Sequence, residues 1–296
     1  MTKMQSETAP ESARGRACPF ELNRLGDAAG AEIRGLDLSR PFGDDTRDAI
    51  LAALIEHHVL AFRDQDLSGE RQMAMTMRFG TPERHIFHDA QGHETPQVHV
   101  IANVDEAGNP IKRTYGSFHW HTDKSYHAIP SFATFLHARE LPPEGGATEF
   151  ANMHLAYESL DDAMKKRIAG LRAIHSWEAN RRNTGSKPAT EEEKKLRPPV
   201  VHPLVRTHPE TGRKSLYIGI HTDCIEGMDR DEGVALLKQL YDHATRRRFV
   251  YAHTWQLGDL VVWDNRSLLH RVLSNYDMSK YRRVMHRSVV IGTAPA

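Results

Sequence analysis

The sequence predicts an α+β protein that is mainly β, a barrel or sandwich of short strands with helices packed outside it. Strand candidates recur from Val98 onward as VHVIANV, SFATFLHARE, RAIHSW, PLVRTHP, KSLYIGI, RFVYAHTW, GDLVVWDN and HRSVVIG. Regularly spaced β segments divided by turn residues are the pattern of barrels and double-sheet folds. Helical periodicity interrupts them at DDAMKKRIAGL and at the strongly amphipathic RDEGVALLKQLYDHATR. Such one-sided helices buttress the outside of a sheet.

Residues 1–18 are polar and read as a disordered N-terminal tail, and 19–296 as a single domain with no internal repeat or linker. PFELNRLGDAAGAEIRGLDLS opens the ordered chain as short extended runs punctuated by glycine. Asp44 or Asp45 then caps a helix through DTRDAILAALIEHH, in which Ile50, Leu51, Leu54 and Ile55 recur at helical spacing, and VLAFRDQ follows as a buried strand. Ser68 starts a second helix, SGERQMAMTMRFG, ended by Gly80, whose methionine stripe is read as core packing. The charged stretch EANRRNTGSKPATEEEKKLRPP has no apolar period, so 178–200 is expected to be a loop or a mobile lid.

Composition bounds the function. The chain has 296 residues, 39% hydrophobic and 26% charged, enough to bury a sizeable core. Lys+Arg and Asp+Glu are both 39, so no net field draws the whole molecule to nucleic acid or an anionic membrane. Any anion must be recognised locally. Cys18 and Cys224 form no CxxC or disulfide framework, which fits a reducing compartment. No secretory apolar stretch is visible, and no window approaches the roughly 18 apolar residues of a membrane span. The expectation is a cytoplasmic enzyme acting on a small molecule, without nucleic-acid or membrane partners. Nineteen histidines point toward metal or acid–base chemistry without saying which of them matter.

GSFHWHTDKSY narrows the field. Residues two apart on an extended segment share a face, so His121 and Asp123 can offer an imidazole nitrogen and a carboxylate oxygen to one ion. The window GDLVVWDNRSLLHRV places His270 after an apolar strand and a turn. Two histidines and one carboxylate on one side of an octahedral ion leave three positions open, the arrangement of non-haem Fe(II) oxygenases. His119 competes, because it shares the same face and HWHTD begins the HxHxDH signature of binuclear hydrolases. Lys124 stands where that signature needs its last histidine. A purely structural role, histidines hydrogen-bonded in a core, is the remaining alternative. In KYRRVMHRSVV a strand would put Arg283, Met285 and Arg287 on one face; two planar guanidiniums so placed suit carboxylates, unless they serve only surface salt bridges.

Taken together, HTD, PPEGGAT, PLVRTHPETGRKSLYIG, WDNRSLLHR and RRVMHR resemble the TauD/TfdA family, in the correct order from about Gly30 to Gly292. The resemblance implies a distorted double-stranded β-helix, a cupin-like jelly roll with flanking helices. It implies Fe(II) held by His121, Asp123 and His270, with O₂ and 2-oxoglutarate consumed. Arg283 would bind the cosubstrate's distal carboxylate with help from Thr148. The usual GGDT reads GGAT here, which keeps that threonine. Arg287 would face the acid group of the substrate. The segments PPVVHPLVRTHPETGRKSLYIG, EGMDRDEG and DHATRRRFVYAHTW look closest to the aryloxyalkanoate branch, and Ser117 stands where taurine dioxygenase has Asn. His221, and His88 in preference to His85, fall in regions that line the substrate pocket. Trp120 and Trp263 are expected to face away from the metal, and Asp264, Asn265 and Arg266 to fix the turn before His270.

The expected reaction is hydroxylation of a small anionic substrate, foremost an aryloxyalkanoate carboxylate with oxidative ether cleavage, releasing succinate and CO₂. The alternatives are the same chemistry on an alkyl sulfonate or sulfate ester, or a zinc-dependent hydrolase. The family habit and the amphipathic helix suggest a homo-oligomer.

Overall fold

Alternating burial assembles the largest sheet. In Leu260–Asp264, Leu260 and Val262 belong to one buried cluster and Val261 and Trp263 to another. Val59–Phe62 repeats the split, Leu60 and Phe62 on the first face and Val59 and Ala61 on the second. These are the two faces of a period-two side-chain pattern. The computed structural model describes residues 19–83, 86–88, 94–96, 98–105, 107–112 and 116–296, the side chains of 86–88 and 94–96 excepted. The expected tail, Cys18 and His85 lie outside the described residues.

Seven strands run in the order Glu21–Arg24, Ala31–Arg34, Val59–Phe62, Leu260–Asp264, Ser131–Glu140, Val284–Ile291, His99–Ala102. All neighbours are antiparallel except Ala31–Arg34 with Val59–Phe62, whose crossover is the helix Asp44–His57. That helix begins one residue before the expected caps. Gly43 is the N-cap, and Asp44 and Asp45 lie in the first turn, against the positive end of the helix dipole. Ser68 caps Gly69–Thr76 by accepting the Arg71 N–H. Of the methionine stripe, Met73 and Met75 are buried while Met77 is exposed.

A second sheet, Val250–His253, Thr148–Asn152, Leu268–Val272, faces the first. Phe150, Tyr251, Trp255 and Leu268 meet Leu136, Val261, Trp263 and Met285 between the two. Each such side chain is worth about 1.5–3 kcal/mol when fully buried. On its outer side Ala151 and Leu269 pack with Leu236 and Leu240 of the helix Arg230–Ala244. The result is a distorted jelly roll with flanking helices, two sheets face to face that do not close into a barrel. A third sheet, Val200–Pro203, Arg172–His175, Thr222–Ile225, lies beside it. Among the described residues no helix is long and apolar enough to cross a membrane.

The stretch 178–200 is more ordered than its composition suggests. Ser176 caps the helix Trp177–Asn183, and a capping box of Thr190 and Glu193 starts the helix Glu191–Leu196. Arg181 pairs with Glu193 at 2.7 Å and Lys194 with Glu178 at 3.2 Å, tying the two helices together. Arg197 and Arg181 lie 4.8 and 5.5 Å from the Trp177 ring. Local capping and charge, not an apolar face, make these helices.

Burial of two neighbouring histidines, His58 and His154, sets an acid sensitivity. The His58 and His154 rings are 5.4 Å apart. Burial, reinforced by mutual repulsion, lowers His58 from 6.5 to about 3. For His154 burial outweighs the hydrogen bond from its Nδ1–H to the Lys214 carbonyl, and the value falls to about 4. Because the folded values are depressed, the unfolded chain binds more protons between pH 6.5 and these values. Stability is therefore full above about pH 6.5 and falls on acidification, by about 2 kcal/mol per histidine at pH 5. Urea unfolding should show a clearly smaller free energy at pH 5 than at pH 7.5; equal values at the two pH values would contradict this reading.

Candidate metal centre

The two sheets hand the chain across at residues 265–267, between Leu260–Asp264 of the large sheet and Leu268–Val272 of the small one. Asp264 fixes this turn: its carboxylate accepts the Arg266 backbone N–H at 2.8 Å and the Arg266 guanidinium at 2.7 Å. Past that strand and turn, as expected, His270 lies on the next strand, paired with Phe150. The HTD segment adds to the same sheet edge by a single bridge, with His121 N–H to His270 O at 3.0 Å and His270 N–H to His121 O at 2.7 Å. Reciprocal bonding of this kind sets two side chains abreast. The two imidazole centroids are 4.1 Å apart.

One ligand-type atom each from His121, Asp123 and His270 lies within 4.8 Å of the others, the one such group of three among the described residues. The His121 Nδ1 is 2.8 Å from the His119 carbonyl, so Nδ1 carries the hydrogen and Nε2 keeps its lone pair. Burial drives both histidines well toward the neutral form that binds metal. Asp123 is ionised: burial alone would raise its pKa, but the Arg287 guanidinium and the hydrogen bond from the Thr134 hydroxyl hold it well below the carboxylate range. Lys124 follows with φ of 59°, a left-handed turn held by its ion pair to Glu83 and by the His127 N–H on its carbonyl at 2.8 Å. The position that breaks the hydrolase signature is thus the turn that ends the segment. His119, the rival ligand, lines a separate cleft with Tyr241 and Leu237.

The cavity over the triad is lined by Ser117, Thr148, Arg283 and Arg287 together with Ile101, Leu136, Val272 and Trp263. Arg283 is 7% exposed, yet its Nε and Nη2 have no hydrogen-bond partner. Burial pulls its pKa from 12.5 to about 10, which still leaves it a cation. Its backbone N–H donates to Asn103 Oδ1 at 2.6 Å, and the stem crosses Gly146, where a Cβ would sit 3.4 Å from Arg283 Cδ. Gly145 and Gly146 both have positive φ, 76° and 68°, so the GG of GGAT is a steric requirement. Thr148 Oγ1 accepts the Trp255 indole N–H at 3.0 Å, which leaves the threonine's own hydrogen to be donated elsewhere. Arg287 leans on Asp123 Oδ1 at 3.4 Å and keeps a buried Nε without partner. The donor set and the unpaired guanidinium fit a divalent ion with an anionic chelate beside it.

The family described as Taurine catabolism dioxygenase TauD, TfdA family matches residues 21–289. The chain belongs to the TauD/TfdA family. It is 36% identical over 282 residues, 92% of this chain and 98% of the relative, to an alpha-ketoglutarate-dependent 2,4-dichlorophenoxyacetate dioxygenase of Cupriavidus pinatubonensis. It is 35% identical to an (S)-phenoxypropionate/alpha-ketoglutarate-dioxygenase of Sphingobium herbicidovorans, covering 92% of this chain and 95% of the relative. Among solved structures, AAD-2 in complex with Mn(II) and N-oxalylglycine superposes with a TM-score of 0.84 at 38% identity, over 93% of this chain and 98% of that one. The protein is an oxidoreductase, a 2-oxoglutarate-dependent dioxygenase using iron and 2-oxoglutarate.

Within this TauD/TfdA site the remaining expected residues divide. Ser117 lines the cavity. His221 does not line it; its ring stands edge-on to His121 at 6.3 Å, with its Nδ1 3.1 Å from Ser125 Oγ. His88 lies in the strand Ile86–His88, and its side chain is outside the described residues. Trp120 is core, as expected. Trp263 is not turned away: it lines the cavity, 4.7 Å from the His270 ring. Both faces of its strand are buried, so alternation could not say which one carried the site. Trp255 escaped the sequence reading altogether, because it reaches Thr148 only through the pairing of His253 with Thr148 across the small sheet.

Proposed function

We propose that His121, Asp123 and His270 hold Fe(II), that Arg283 and Thr148 bind the distal carboxylate of 2-oxoglutarate, and that Arg287 faces the acid group of an aryloxyalkanoate substrate. The observation that carries this reading is the buried guanidinium of Arg283, whose Nε and Nη2 have no hydrogen-bond partner, in a cavity that also contains the triad. N-oxalylglycine differs from 2-oxoglutarate by NH in place of a methylene, so the complex of AAD-2 with Mn(II) and N-oxalylglycine supports a divalent ion and a 2-oxoglutarate-like molecule as ligands of this fold. The substrate class rests on the named activities of the two relatives and on the apolar Ile101, Leu136 and Val272 beside Arg287.

When bound, iron with 2-oxoglutarate and O₂ supplies the oxidising chemistry, one oxygen atom going to succinate and one to the substrate, with loss of CO₂. The chain's residues place and exclude. Thr148 and Arg283 fix one end of the cosubstrate, and Leu136, Trp263 and Val272 keep water from the reacting side. Arg287 orients the substrate so that the carbon between carboxylate and ether oxygen faces the triad. Hydroxylation there yields a hemiacetal, which breaks to a phenol and a 2-oxo acid.

Anaerobic protein with Fe(II) and 2-oxoglutarate should develop a weak visible charge-transfer band. In air, aryloxyacetates and aryloxypropionates should yield succinate and phenol in equal amounts. Succinate formation with alkyl sulfates or sulfonates but not aryloxy acids would move the substrate to the sulfur branch. Turnover without 2-oxoglutarate or O₂, with zinc bound, would overturn the reading. The reading also has a homo-oligomeric cytoplasmic protein without nucleic-acid or membrane partners, supported by balanced charge and by Val234, 43% exposed on the amphipathic helix; sedimentation velocity tests the oligomer.

A further inference from the structure

Behind Asp123 runs a chain of hydrogen bonds whose every polarity is determined. The Trp263 indole N–H is donor-only and lies 3.1 Å from Asn265 Oδ1. The Asp123 backbone N–H reaches the same oxygen at 3.3 Å. Two donors on one atom make it the amide oxygen, so the Asn265 Nδ2 points the other way, to Thr134 Oγ1 at 2.9 Å. Thr134 accepts that bond and gives its single hydrogen to Asp123 Oδ2 at 2.6 Å. The Asn265 backbone carbonyl accepts from Thr122 Oγ1 at 2.7 Å and its backbone N–H donates to the Phe132 carbonyl at 2.8 Å, which ties the residue to the HTD segment and to the strand Ser131–Glu140. Thr134 and Asn265 are 0% and 2% exposed, so no solvent competes for these bonds.

We propose that Thr134, polarised by Asn265 and Trp263, is a positioning residue that reserves Oδ2 of Asp123 through a short 2.6 Å bond and leaves Oδ1, approached by Arg287 Nη1 at a long 3.4 Å, as the oxygen offered to the metal. The inference rests on the metal reading above and adds the denticity of its carboxylate. A carboxylate with both oxygens unclaimed can bind an ion through two positions; one held by a short bond to an ionised oxygen binds through one. The difference decides the chemistry, since a bidentate Asp123 would take a position that a chelating cosubstrate or O₂ needs. Trp263 joins the two halves of the site, its N–H anchoring Asn265 and its ring lying against His270. Thr134 itself sits opposite Trp263 in the large sheet, so neighbouring strands set both ends of the chain.

The test uses Mn(II) as the probe, titrated anaerobically into the full chain and read by electron paramagnetic resonance, then repeated with 2-oxoglutarate. Thr134→Val keeps the shape and removes the donor. It should weaken Mn(II) binding by about 10–100-fold, and weaken 2-oxoglutarate binding to the Mn(II) form as the released oxygen competes for its position. Thr134→Ser should restore both. Thermal unfolding of the metal-free proteins checks that the sites compared are folded, and Thr134→Ala is the second variant if valine leaves no folded protein. A wild type that binds Mn(II), with valine and alanine variants matching it in both titrations, overturns the proposal while sparing the metal reading. A wild type that takes up no Mn(II) overturns both.

Discussion

Arg283→Ala should raise the 2-oxoglutarate concentration for half-maximal turnover by roughly 30-fold or more. Arg283 lies in the cavity with the triad, almost wholly buried, with two guanidinium nitrogens that meet no acceptor. Burying guanidinium N–H groups without acceptors is costly, and an anion bound there during function would offset that cost. Truncating one member of a buried, hydrogen-bonded charge pair costs about 2–5 kcal/mol, much of it from leaving the other member unpaired. At about 1.4 kcal/mol per factor of ten, the lower end of that range is the 30-fold stated. Arg283→Lys should recover part of the loss, since a point charge returns but the planar fork does not. Arg287→Ala should show the opposite pattern, with cosubstrate half-saturation nearly unchanged and that of the aryloxy acid raised by a similar factor. Steady-state kinetics with each substrate varied separately will read this crossing. Parallel shifts in the two variants would overturn the division of labour.

What the sequence disclosed, and what it hid, follows from how local each signal is. His121 and Asp123 were legible because alternation on an extended segment is a two-residue property. Ser131–Glu140 was legible because its hydrophobic run is long and bounded. Thr148–Asn152 was not: TEFAN is buried throughout, its glutamate neutralised by Arg247 at 3.0 Å and Arg271 at 2.7 Å, partners about a hundred residues away. Polar letters in a fully buried strand look like a loop until the partners are known. Trp255 and Thr134 stayed hidden for the same reason, as each acts through a strand register that no single window contains. The two helices in 178–200 are a different case. Thr190 followed by Glu193 is a capping box written in the sequence, but it stands without the apolar period that marks most packed helices.

Asp123→Ala should abolish succinate formation, a loss beyond about 10³-fold, and cut Mn(II) affinity by more than the about 10–100-fold typical of residues that only support a ligand. The effect is electrostatic. With both histidines held neutral by burial, Asp123 is the one anion of the triad, and without it the ion would face two neutral imidazoles beside the cationic Arg287. Asp123→Asn should not rescue binding, because an amide restores shape without charge. The metal-free variant should nonetheless fold. The change leaves the Thr134 hydroxyl and the Arg287 guanidinium without the oxygens they meet on Asp123, a cost of about 1–3 kcal/mol that is partly offset because a buried carboxylate no longer has to be desolvated on folding. The thermal midpoint should therefore move by only about a few degrees, and near-ultraviolet circular dichroism should stay native-like. Loss of metal uptake with the fold intact would separate ligand from scaffold. Retained Mn(II) affinity would require other ligands, and among the described residues no second group of three histidine, cysteine or acidic side chains brings its atoms together closely enough to supply them.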